Sequence, residues 1–218
     1  MARRWQDVSP DEILGFWFPD GLASADEETI GAFWHSRMQG GMDEAIIRQY
    51  PDVTRAAAEG RLDHWAETAE GRLALILVLD QFPRSLWRDT PAAYGQDIKG
   101  CRLALEGVAN GHYAALPDMH HKQFYIICIS HCEGPDHLER MDKCIRLNED
   151  FIACAESAKE RGFAQQGLDQ CHRFRGIIER VGRHPHRNPV LGRISTLAEQ
   201  TYIDAGDFPH VRSDPSGS

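Results

Sequence analysis

Seven consecutive apolar residues, Leu73 through Leu79, run uncharged through the middle of the chain. A segment that is apolar all round must be enclosed by protein on every side, so the remainder of the chain has to wrap it. Periodicity alone also allows a buried strand. The length of the stretch from Arg72 to Phe82 and its lead-in, Thr68-Ala69-Glu70-Gly71, favour a central helix ended by Pro83. With 218 residues, 42% hydrophobic and 26% charged, the chain has enough material for one covered core, and wholesale disorder is excluded.

Other segments carry helix signals of their own. Ser9-Pro10-Asp11-Glu12 places a capping Ser, a Pro at the first helical position and a Glu at the third ahead of Ile13 and Leu14. Helical patterns follow from Asp26 to Met38, from Met42 to Ala58 with Pro51 kinking or dividing it, and from Gln96 to Asn110. Three more span Pro117 to His131, Pro135 to Arg161 and Phe163 to Val181. Two prolines and two glycines make Gly182 to Arg193 an irregular loop, and Thr196-Leu197-Ala198-Glu199 opens a last short helix to about Ile203. No strand pair or hairpin signal competes. The expectation is an all-α single domain over residues 1–212 with a disordered tail at 213–218.

Charge and cysteine use narrow the function classes. The net charge of −9 disfavours general nucleic-acid or anionic-membrane binding. The excess lies in residues 1–170, with 28 acidic and 17 basic side chains, whereas residues 171–218 carry 5 and 7. The N-terminus meets acidic residues before any signal-like apolar run. Six dispersed cysteines then read as reduced thiols in a cytoplasmic protein.

Three groups could carry chemistry. Asp80, Gln81 and Arg84 stand at the end of the apolar helix, where charged groups either line a cleft or pair with one another. A second apolar helix ends in His131, Cys132 and Glu133; a His beside a carboxylate is the composition of a general acid/base pair and equally of a helix-end cap. Cys128 and Cys132 share a helical face near His120 and His121, yet C-x-x-x-C is no zinc-ribbon spacing, so a metal or redox site is a minority reading and no metal ligand is assigned. The third group is Arg173, Arg175, Arg180, Arg183, Arg187 and Arg193 with Asn188, opposed only by Glu179 between residues 171 and 193. A guanidinium fork suits carboxylate or phosphate, although such a run is as often a solvated face.

Leu79-Asp80-Gln81-Phe82-Pro83-Arg84, Phe124-Tyr125 leading to His131 and Glu133, and Ile177-Ile178-Glu179-Arg180-Val181-Gly182-Arg183 through Pro185-His186-Arg187-Asn188, Leu191-Gly192-Arg193 and Ser195-Thr196 resemble the bacterial family known as domain of unknown function 924. The likeness runs from about Ile13 to Phe208. It implies a helical array akin to the tetratricopeptide superfamily, although no 34-residue repeat aligns within this chain, and it carries no function. Several positions depart from the family pattern. Phe174 stands where a His is usual, His184 where a Phe is usual, Cys132 where a Ser is usual and Cys128 where a Pro is usual.

The functional expectation is a pocket for a small anionic molecule. Asp80, Arg84, Arg183, Arg187, Asn188 and Arg193 would bind it, His131 would act as general acid/base, and Glu133 would orient His131. Replacing Arg187 or Arg193 is expected to spare folding. The competing reading is a non-enzymatic module that grips an acidic peptide. No cofactor, reaction type or oligomeric state follows from these residues.

Overall fold

A computed structural model describes residues 2–206, which form an all-α domain. Its helices are α1 Pro10–Trp17, α2 Glu27–Met38, α3 Asp43–Gln49, α4 Pro51–Ala58, α5 Ala69–Leu86, α6 Asp97–Ala109, α7 His112–Ala115, α8 Met119–His131, α9 His137–Cys154, α10 Ala158–Val181 and α11 Leu197–Ala205. The tail expected to be disordered, 213–218, lies outside the described residues.

The apolar run becomes the hub. Every residue from Leu73 to Leu79 is 0% exposed, because α1, α3, α4, α6 and α8 all pack against α5. Each large side chain buried this way contributes about 1.5–3 kcal/mol. The surrounding helices alternate in direction. Arg84 meets Asp97 while Arg72 meets the Leu103 carbonyl, and Asp142 meets Arg175 while Asn148 meets Cys171, so α5/α6 and α9/α10 run antiparallel.

Two boundaries differ from expectation, and Pro51 divides its segment as expected. Pro83 does not end α5, which continues to Leu86 with the proline inside it. In the same turn the side chain of Arg84 donates to the Asp80 carbonyl. Pro51 divides the third segment outright, serving as the first residue of α4. The break after α9 comes at Ala155 rather than beyond Arg161, because Ser157 and Glu160 form a capping box that starts α10. The predicted box at Thr196 and Glu199 forms and starts α11.

Glycine sets the spacing between α6 and α8. A Cβ on Gly107 would stand 2.6 Å from Tyr125 Cε1 and 2.7 Å from Arg72 Cδ. Helix propensity alone makes Gly→Ala stabilising by about 1 kcal/mol. Overpacking costs about 1–3 kcal/mol, so Gly107→Ala is expected to lower stability in urea unfolding, and a gain would refute the close approach.

Candidate functional site

The end of α5, the end of α8, the start of α6 and the loop after α10 converge on one charged cluster. Asp80, 1% exposed, accepts from His131 Nδ1 at 2.9 Å. Arg84 lies 3.2 Å from Asp80 and reaches Asp97 at 3.0 and 3.2 Å. Arg187, 3% exposed, donates to the other side of Asp97 at 2.9 Å and stacks its guanidinium 4.5 Å over the Tyr94 ring. One carboxylate thus joins two arginines from distant parts of the chain.

The electrostatics fix the protonation pattern. Burial opposes ionisation of Asp80, but the Arg84 guanidinium and His131 outweigh it and hold its carboxyl well below the usual range. Burial, then Arg84, pushes His131 below its ordinary value against the pull of Asp80. An ionised carboxylate only accepts, so the imidazole is neutral with its proton on Nδ1, leaving a lone pair on Nε2. Such an imidazole can take a proton from a molecule placed against Nε2.

Glu133 does not orient His131; that role falls to Asp80. Glu133 instead receives Arg193 at 2.6 and 3.2 Å and the His184 backbone N–H at 2.8 Å. Burial raises its affinity for a proton, yet Arg193 and the His184 amide lower it below the usual carboxylate range. Arg183 and Asn188 serve the anchoring of α11. Arg183 grips Glu199 at 2.5 and 2.9 Å, holding that carboxyl down to about 2, and Asn188 donates to Ser195 at 3.0 Å. The binding residues expected from sequence therefore divide between the cluster, with Asp80, Arg84, Arg187 and Arg193, and a strut, with Arg183 and Asn188.

The end of α8 explains two further histidines. Its Ser130 carbonyl has no helical successor and accepts from His137 Nε2 at 3.0 Å and His184 Nε2 at 3.1 Å, while Arg140 takes the Cys132 carbonyl at 2.5 Å. Burial, chiefly, presses both imidazoles below their usual proton affinity. Cys128 and Cys132 are buried; burial raises the Cys128 thiol, whereas a hydrogen bond from Cys101 lowers Cys132. Among the described residues no three His, Cys, Asp or Glu side chains gather as a metal site. No helix there is long and apolar enough to cross a membrane.

Residues 13–207 match the family described as bacterial protein of unknown function (DUF924). The chain belongs to this family. The solved structure of a protein of unknown function, ATU0120 from Agrobacterium tumefaciens, is similar to it, with 30% identity and a TM-score of 0.63 over 90% of this chain and 97% of that one. No curated protein matches the chain. Two departures of this DUF924 chain from the pattern of its resemblance are neighbours in space. Phe174 and His184 stand edge to face with ring centroids 5.5 Å apart.

Sequence reasoning missed Asp97, Tyr94 and Arg140. Asp97 reads as an ordinary acidic residue in the first turn of a helix, and no local signal marks it as the shared partner of Arg84 and Arg187.

Two expectations follow for this DUF924 protein. The burial of Arg187 against Asp97 revises its sequence reading: Arg187→Ala is expected to cost about 3–5 kcal/mol, because it leaves a buried carboxylate short of a partner, and a loss below 1 kcal/mol in urea unfolding would contradict the pairing. Stability also follows pH with a definite sign. His131, His137 and His184 bind protons more weakly folded than unfolded, so stability declines as pH falls below about 6.5, and Asp80, Glu133 and Glu199 add to the loss through the carboxylate range. The urea midpoint should hold from pH 8 to 7 and drop by pH 5; a midpoint unchanged at pH 5 would contradict the imidazole assignments.

Proposed function

We propose that this DUF924 protein binds a small carboxylate- or phosphate-bearing molecule at the Asp80–His131 cluster and moves a proton on it. The observation that carries the reading is the 2.9 Å contact of His131 Nδ1 with buried Asp80, which turns the imidazole into an oriented base. Asp80, Asp97 and Glu133 balance Arg84, Arg187 and Arg193, so the cluster holds no surplus cation waiting for a ligand. An incoming anion is met by the reachable edges of Arg84 and Arg193, whose side chains are each 21% exposed, while Arg187 at 4% stays behind to hold Asp97. The arginines then favour negative charge developing on the molecule as His131 takes its proton. The same reading puts the protein in the cytoplasm, where unpaired thiols such as Cys128 and Cys132 persist.

A thermal-shift screen of carboxylate and phosphate metabolites tests this. At least one compound is expected to raise the Tm of the wild type, with affinity reduced about tenfold or more in Arg84→Lys and Arg193→Lys, which keep the charge but lose the fork. In His131→Gln the compound still binds and its conversion, followed in D2O by mass spectrometry as uptake of deuterium, stops. The reading fails if no compound binds in an Arg84- or Arg193-dependent way, or if His131→Gln converts it as fast as the wild type.

A further inference from the structure

Arg37, on α2, is a cation without an anion among the described residues. Its guanidinium carbon lies 4.2 Å from the centre of the Trp17 ring, 4.5 Å from Phe33 and 5.4 Å from Trp34, and its single hydrogen bond runs from Nη2 to the Phe16 carbonyl at 3.0 Å. Its Nε and Nη1 are buried with no partner among the described residues. The arginines buried elsewhere are treated differently, for Arg72, Arg140 and Arg187 each face a carboxylate: Glu106, Asp136 and Asp97. Burial charges the uncompensated site heavily, pushing the Arg37 pKa down to about 9.

The neighbouring donors are orphaned too. Trp17 Nε1 and Trp34 Nε1, on rings that flank the guanidinium, are buried and unpartnered, as is His120 Nδ1, whose ring stacks on Trp34 at 6.1 Å. Native proteins seldom leave one such group unpaired, and here the donors on Arg37 and both indoles gather in one place with no acceptor among the described residues, beside the unpartnered His120 Nδ1. Ordered water would satisfy an indole but leave the guanidinium charge unmatched. From this we infer that the Arg37 cage is a second binding site, taking the carboxylate of a small molecule with a flat apolar body.

Aromatic walls suit such a body, and there is room beside them. Phe18, which meets Trp34 at 6.2 Å, lines a neighbouring cleft of about 260 Å³ together with Leu22, His120, His121 and the carboxylates of Asp20 and Asp118, so the apolar body of the ligand and not its carboxylate would extend that way. Arg37, Phe33 and Trp34 all keep part of their surface exposed, so the cage has a rim open to solvent. This site stands apart from the Asp80–His131 cluster and does not depend on it.

Benzoate is the probe, with neutral benzamide as the control of the same shape. Titrated into the wild type, benzoate is expected to change tryptophan fluorescence saturably, through Trp17 and Trp34, and to raise the Tm; benzamide is expected to do neither. Arg37→Met should remove the response, weakening benzoate at least tenfold while leaving the protein folded, since it deletes a buried unpaired charge. Should that variant fold poorly, Arg37→Lys gives the same reading by a smaller loss. The inference is overturned if the wild type shows no saturable response to benzoate, if benzamide binds equally well, or if the Arg37 variants bind benzoate like the wild type.

Discussion

Enclosing α5 on every side creates a problem that much of the remaining structure answers. The helix carries Asp80 and Arg84 into the interior on its last turns, and isolated charge there costs several kcal/mol per ion unless it is paired and hydrogen-bonded. Pairing the two with each other is not enough, because Arg84 has donors to spare. Asp97 from α6 takes them, Arg187 from the distant loop balances Asp97, and His131 completes Asp80. A chain of charges begun by one apolar helix thus fixes where α6, α8 and the loop after α10 must lie.

That chain has both a structural and a chemical face. Arg187 and Asp97, nearly sealed from water, act as a clasp. His131, at 14% side-chain exposure, still meets the outside with an imidazole whose proton is held on the inner nitrogen. The second set of contacts around Glu133 and Ser130 positions the loop through His184 and Arg193, and His184 packs there against Phe174. On the loop the His184 imidazole has the Ser130 carbonyl within reach.

Legibility in the sequence followed the range of the interaction. Ser9, Thr196 and the run Leu73–Leu79 announced their elements because capping and burial periodicity act within a few residues. Pro83 is a misleading signal because the loss of one backbone hydrogen bond is local, whereas the packing that carries the helix on to Leu86 is not. His131, Asp80, Arg84, Arg187 and Arg193 were recognisable as chemistry-bearing types, but their partners were not. Glu133 was the nearest carboxylate to His131 in sequence, whereas the one that bonds it lies 51 residues away.

By itself the sequence determined that this chain is helical, that one helix sits at its centre, and that polar groups collect at the ends of its apolar helices, because these properties depend on local periodicity and capping. Only the tertiary structure decided which carboxylate meets which guanidinium, that the loop arginines are spent on ion pairs, and that Arg37 is left without one among the described residues. Charge pairing in a buried site is set by distance in space and by the cost of desolvation, and neither quantity is written in the order of the residues.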